Sequence, residues 1–217
     1  MTEVAGSPFG AGAGPYAPAV DRAMRFAYVP NAISDNVSAY TIDAASGALT
    51  EVAGSPFTAG DGPVSVTVDP TGRFAYIAND NAGNVSAYDI DAANGALTEI
   101  TGSPFAAGDE PLAVIVDPNG RLAYVANYLS DDVSAYRIDS ASGALAEVSG
   151  SPFAAGDEPN SVAVDANGRW VYVANLLSDN ISAYRIDAAS GALTEITESP
   201  FAAGDGPDGI ITTAAFQ

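Results

Sequence analysis

One unit of 48 residues, written four times without slippage, constrains this chain more than any other feature. The tetrapeptide Gly-Ser-Pro-Phe ends at Phe9, Phe57, Phe105 and Phe153, and a Glu-Ser-Pro-Phe version ends at Phe201. The same step links Tyr28, Tyr76, Tyr124 and Tyr172, then Tyr40, Tyr88, Tyr136 and Tyr184, and the arginines Arg25, Arg73, Arg121 and Arg169. The 217 residues divide into a partial unit 1–15, whole units 16–63, 64–111, 112–159 and 160–207, and a tail 208–217. Self-similarity at this period means a solenoid, a propeller or an array of stacked supersecondary units.

Punctuation inside the unit marks four strands. In the second copy, 64–68 alternates and stops at Asp69-Pro70-Thr71-Gly72, a turn signature. Residues 74–78 run to the polar Asn79-Asp80-Asn81-Ala82-Gly83, 85–90 to Asp91-Ala92-Ala93-Asn94-Gly95, and 97–100 to Gly102-Ser103-Pro104-Phe105. No helical period is present. Four short antiparallel strands per unit of this length predict an all-β fold, a β-propeller of four-stranded antiparallel blades with partial repeats at both ends. The second and third strands are apolar or small on both faces, as mid-blade strands between neighbouring blades must be. The fourth carries Glu51, Glu99, Glu147 or Glu195, a charge suited to an outer edge. The recurrent Pro-Phe reads as a peg that buries Phe against the next blade.

Composition then removes whole classes of function. The chain has no Cys, His or Lys, so thiol, imidazole and Schiff-base chemistries and Cys/His zinc sites are closed to it. Twenty-seven acids against seven arginines give a net charge of −20. That charge repels phosphate backbones and anionic bilayers, which excludes nucleic acid and membrane surfaces as partners. The acidity fits either plain solubility of a β-rich protein or a high-salt habitat. The start, Met-Thr-Glu-Val-Ala-Gly, shows no signal-peptide pattern. No run approaches the ~18 apolar residues of a membrane span.

The run Asp-Pro-x-Gly-Arg-x-x-Tyr-Val-Ala-Asn followed by Val-Ser-Ala-Tyr-x-Ile-Asp-x-x-x-Gly-Ala-Leu resembles the YVTN-type repeat of the lactonase β-propeller family, which includes the propeller form of 6-phosphogluconolactonase and the carboxymuconate cyclases. Tyr124-Val125-Ala126-Asn127 and Tyr172-Val173-Ala174-Asn175 carry the resemblance, with Tyr76-Ile77-Ala78-Asn79 close behind, and Tyr28-Val29-Pro30-Asn31 departs from it. The resemblance implies a seven-bladed ring and lactone hydrolysis. This chain has four full repeats and lacks the histidine of the family's catalytic sets.

Ring closure is expected to use the chain ends. Residues 209–213 align with the innermost strand of a unit, and the matching 16–20 is damaged by Pro18, which cannot donate to a ladder. The tail is therefore expected to replace or compete with 16–20. Within one chain this gives a compact four-bladed monomer; between two chains it gives a strand-sharing homo-oligomer of eight blades, the arrangement favoured here. Residues 2–9, a spare fourth strand, fit neither scheme.

Candidate sites lie on the loops at the channel mouth. Asp35, Asp80, Asp131 and Asp179 are candidate ligands for calcium or magnesium, although Asp and Asn are also ordinary turn residues. Asp132 and the linker acids Asp61, Asp109, Glu110, Asp157, Glu158 and Asp205 share that end. Positions that break the repeat carry more information. Thr41, Asp89, Arg137 and Arg185 are equivalent, so Asp89 and Arg137 could form an inter-blade pair, or Arg137 and Arg185 could hold an anionic ligand. Val64, Leu112, Asn160 and Asp208 start the inner strands, making Asn160 and Asp208 candidate ligand-binding residues. The function read from sequence is a non-catalytic acidic scaffold or binding module, lactonase-like in fold only. The alternative is a hydrolase opening a sugar lactone, with mouth carboxylates activating water and a divalent cation as an optional aid.

Overall fold

The computed structural model describes residues 3–213. The fold is all-β, with no helix among the described residues and hence none long and apolar enough to cross a membrane. In the second blade the strands are Pro63–Val68, Phe74–Asn79, Asn84–Ile90 and Leu97–Glu99, and a short Phe105–Ala106 completes the outer edge. The third and fourth blades repeat this layout, from Pro111–Val116 to Phe153–Ala154 and from Pro159–Val164 to Phe201–Ala202. The first has the same order with its inner strand cut to Ala19–Val20.

Local chemistry explains each corner. The Asp69 carboxylate accepts the backbone N–H of Arg73 and of Phe74, both at 2.7 Å, which closes the turn between the first two strands. Every residue of Phe74–Asn79 is buried, while in Leu97–Glu99 only Leu97 is. The outer edge is broken where Gly-Ser-Pro-Phe turns the chain. There Ser103 Oγ accepts the N–H of Ala87 at 3.0 Å, and Phe105 resumes pairing opposite Val85. The serine thus fills the gap in the ladder that the turn opens.

Three buried clusters join the first blade to the second, the second to the third and the third to the fourth. Phe57, Phe105 and Phe153 pack against them, the peg role expected of the motif. Tyrosine hydroxyls tie blade to blade: Tyr28 donates to Gly95 O (3.0 Å), Tyr76 to Gly143 O (2.9 Å) and Tyr124 to Gly191 O (3.1 Å). Arginines do the same on the rim, with Arg25 donating to Ala92 O (3.1 Å), Arg73 to Ala141 O (2.7 Å) and Arg121 to Ala188 O (2.7 Å). Asp89 meets Arg73 at 3.9 Å and not Arg137, which instead donates to Ala189 O. Arg137 thus leans towards the fourth blade, away from Asp89, which pairs within the second.

No buried cluster joins the fourth blade to the first among the described residues; the four blades form an arc. Residues 16–20 keep their place, with Tyr16 N–H on Pro30 O at 2.9 Å and Ala19 and Val20 opposite Tyr28 and Ala27. The tail lies elsewhere. Ile210 N–H donates to Ser161 Oγ at 3.2 Å, repeating the bond of Val114 N–H to Ser65 Oγ at 3.3 Å two interfaces earlier. Residues 208–213 therefore stand where the inner strand of a following blade would stand, and do not displace 16–20 within the chain. Of the spare strand expected at 2–9, residue 2 lies outside the described residues and 3–9 form no strand.

Candidate channel-mouth site

Two repeated devices build the mouth. The inner strands of the second to fourth blades carry a bulge after their first residue: Pro63 faces Asn79 and Ser65 faces Ala78, leaving Val64 as the extra residue, and the third and fourth blades bulge at Leu112 and Asn160. A bulge re-aims its side chain, here at the rim. The second strand ends in an asparagine with no solvent exposure, Asn31, Asn79, Asn127 or Asn175. Asn79 Nδ2 donates to Asn84 Oδ1 (2.8 Å) and Ser86 Oγ (2.9 Å), and the other three repeat this pattern. Gly60 packs so closely on Asn79 that a Cβ there would lie 2.6 Å from Nδ2. All four Oδ1 atoms are buried without a partner.

The residue after this asparagine breaks the repeat, reading Ala32, Asp80, Tyr128 and Leu176. Asp80 is anchored by its N–H on Gly62 O at 2.8 Å, and its Oδ1 is buried with no hydrogen-bond partner. Burial, with Glu110 and Asp61 nearby, raises its carboxyl above the usual range. It borders a groove of about 290 Å³ shared with Asn81, Asp109 and Glu110. In the next blade Tyr128 donates to Glu158 Oε2 at 2.6 Å, a bond that raises the phenol pKa. Asp132 is also raised, chiefly by burial.

The other candidates separate into three groups. Asp35, Asp131 and Asp179 are equivalent positions with left-handed backbone (φ 52°, 55° and 52°), and each carboxylate holds a linker amide, that of Gly62 (3.0 Å), Glu158 (2.9 Å) and Gly206 (2.7 Å). Asp80 is not their counterpart, since Gly83 fills that place. No cluster of three or more acidic side chains that could hold a metal ion exists among the described residues. Asn160 and Asp208 do come together, Nδ2 to Oδ1 at 2.6 Å, as successive residues of the rim. Arg137 and Arg185 stand at the other end of their strands, opposite Leu122 and Trp170. All seven arginines lie at that far end, in the first turns or at the outer ends of third strands, so the mouth is acidic without a cation. The sequence pointed to Asp80 only as one of four aspartates; the signal that singles it out is the break in the repeat after the Tyr-x-Ala-Asn run. The Tyr128–Glu158 pair was missed, although Tyr128 breaks the repeat at the same position.

A family model described as lactonase, 7-bladed beta-propeller, matches residues 12–206. No curated protein matches the sequence. Among solved structures, a Bacteroides uniformis protein described provisionally as a 6-phosphogluconolactonase superposes with a TM-score of 0.80 at 19% identity, over 88% of this chain and 56% of that one. A Bacteroides fragilis protein described in the same way gives 0.80 at 22% identity, over 90% and 56%. The periplasmic gluconolactonase of Pseudomonas aeruginosa gives 0.76 at 23% identity, over 88% and 55%. At these identities the likeness is one of fold, and the chain spans little more than half the length of the structures it matches.

Proposed function

The chain belongs to the lactonase family of seven-bladed β-propellers, and from that membership we propose that it hydrolyses an uncharged sugar lactone at the channel mouth, with Asp80 as general base. The observation that carries this reading is the Asp80 carboxyl, desolvated, raised and unpaired at Oδ1 beside an open polar groove. Such a group is a functional-site signal with a physical cause, and a raised carboxyl is better matched to proton transfer near neutral pH. It takes a proton from water as the water oxygen adds to the lactone carbonyl. The ring C–O bond then breaks, and the proton passes to the departing alkoxide, leaving a hydroxy acid. This sequence needs no histidine, whose absence had favoured the scaffold reading, and no step runs through a cation.

Charge selects the substrate. A phosphorylated lactone would meet Asp61, Asp109 and Glu110 with every arginine at the far end, whereas a neutral lactone is not repelled. Its product is an anion, and the same acids favour release. The test is ring opening of glucono-δ-lactone, corrected for spontaneous hydrolysis, by the wild type, Asp80→Asn and the far-end control Asp89→Asn. Asp80→Asn should lose ~10²-fold or more, the usual weight of a general base, with Asp89→Asn unchanged and 6-phosphogluconolactone turned over more slowly. Equal rates for Asp80→Asn and wild type would remove Asp80 from the chemistry. No turnover of either lactone would return the chain to the scaffold reading.

A further inference from the structure

The two ends of the arc are unfinished in complementary ways. Wherever a blade is followed by another, the start of its second strand is sealed: Phe26, Phe74 and Leu122 are 4%, 3% and 4% exposed. Trp170 holds this place in the fourth blade and is only half-buried, as is Tyr172, the counterpart of the fully buried Tyr28, Tyr76 and Tyr124. Together with Arg169 and Arg185, Trp170 borders a cavity of about 390 Å³ on that face. On the opposite end, Leu97, Leu145 and Leu193 are buried against a preceding blade, while Leu49 of the first blade is half-buried and borders a cavity of about 400 Å³ with Tyr40 and Phe9. Gly95 and Gly143 sit tightly on Phe26 and Phe74 of the preceding blade, but the equivalent Gly47 has only Val4 within 4 Å. A compact monomer of 21.8 kDa exposes about 9,300 Å²; this chain exposes 10505 Å².

We propose that two copies of this chain associate head to tail, the outer face of the fourth blade of each seating on the first blade of the other, to close a ring of eight blades. A second copy is the occupant because every internal interface already joins these same two faces. Rings of four to eight blades are all built from such units. In the closed ring the Tyr172 hydroxyl donates to Gly47 O of the second copy, Arg169 reaches Ala44 O, and Trp170 fills the space over Gly47. One of two equivalent segments must yield, and it is 9–20. Pro18 leaves that segment a strand of only two residues with Val20 50% exposed, whereas 208–213 is already aligned beside Pro159–Val164 with Ile211 85% exposed and no strand to pair. Residues 209–213 then form the inner strand against Phe26–Asn31 of the other copy.

Light scattering after size exclusion decides this by mass alone, independently of any lactone activity. The wild type should weigh twice the 21.8 kDa of one chain, and more fully so at molar salt, which screens two charges of −20. Trp170→Glu, at a half-open position, should keep the circular dichroism spectrum of the fold and run as single chains. Ile211→Pro, which removes a ladder donor from the tail, should do the same. A wild type that stays at the mass of one chain in molar salt overturns the proposal, as does a ladder of masses beyond two, which means an open filament. A dimer that survives both substitutions also overturns it.

Discussion

Gly143 and Gly72 share almost the same backbone, φ 74° and 71°, yet their surroundings differ. A Cβ on Gly143 would lie 2.5 Å from Phe74 Cδ1 and 2.6 Å from Ile100 Cδ1, both in the buried cluster between the second and third blades. A Cβ on Gly72 meets nothing nearer than Arg25 Nη2 at 3.6 Å, the far end of a flexible side chain. The dihedral cost of alanine is common to both, ~1–2 kcal/mol for an L-residue held left-handed. Overpacking adds ~1–3 kcal/mol at Gly143 alone. Gly72→Ala should therefore lose ~1–2 kcal/mol and Gly143→Ala ~2–5 kcal/mol. At ~2–4 °C per kcal/mol for a chain of this size, the two midpoints should separate by several degrees. Urea titration followed by circular dichroism and calorimetry reads both quantities, with the urea slope unchanged. Equal losses at the two sites would refute the reasoning, because they would mean that the face between blades gives way without cost.

Two further outcomes follow from the same structure. Ser103→Ala should cost ~1–3 kcal/mol by orphaning the buried N–H of Ala87, against less than ~0.5 kcal/mol for Ser142→Ala at an exposed loop; similar values in urea unfolding would show that the serine does not complete the ladder. Burial pushes Tyr88, Tyr136 and Tyr184 up to about 12, above the ~10 of an unfolded phenol. The unfolded chain therefore sheds these protons first, so the stability present below pH ~10 is lost as pH rises towards 12, at ~1.4 kcal/mol per pH unit for each tyrosine. Phenolate absorbance should lag behind ordinary tyrosine and then rise together with loss of the circular dichroism signal; a smooth rise near pH 10 with the fold intact would contradict the burial argument.

The blades were legible because each strand, turn and peg is a local pattern repeated in register. What joins them was not. The Tyr76–Gly143 and Tyr124–Gly191 bonds span 67 residues, one unit plus part of another, and nothing in the text of one unit says which neighbour a side chain leans towards. The inter-blade pair considered for Asp89 and Arg137 does not form because Arg137 leans on the fourth blade, while Asp89 meets Arg73 of its own blade. The site was legible in outline. Asp80 stood among the mouth acids, but its isolation from Asp35, Asp131 and Asp179 depends on a three-residue offset that places Gly83 at their position. The buried, unpaired Oδ1 atoms of the four asparagines have no sequence signal beyond the spacing to Gly60 and its equivalents, which recurs in every unit.

The sameness of the interfaces has a consequence for how such chains change length. A tyrosine and an arginine on one blade grip two carbonyls on the next, and those carbonyls belong to a loop that every unit carries. Any unit can therefore follow any other, and the seam has no preferred number. Gain or loss of one whole 48-residue module by unequal recombination would leave every surviving junction as it was. Only the angle left to close would change, since the Tyr and Arg bonds at each junction do not depend on how many units the chain holds.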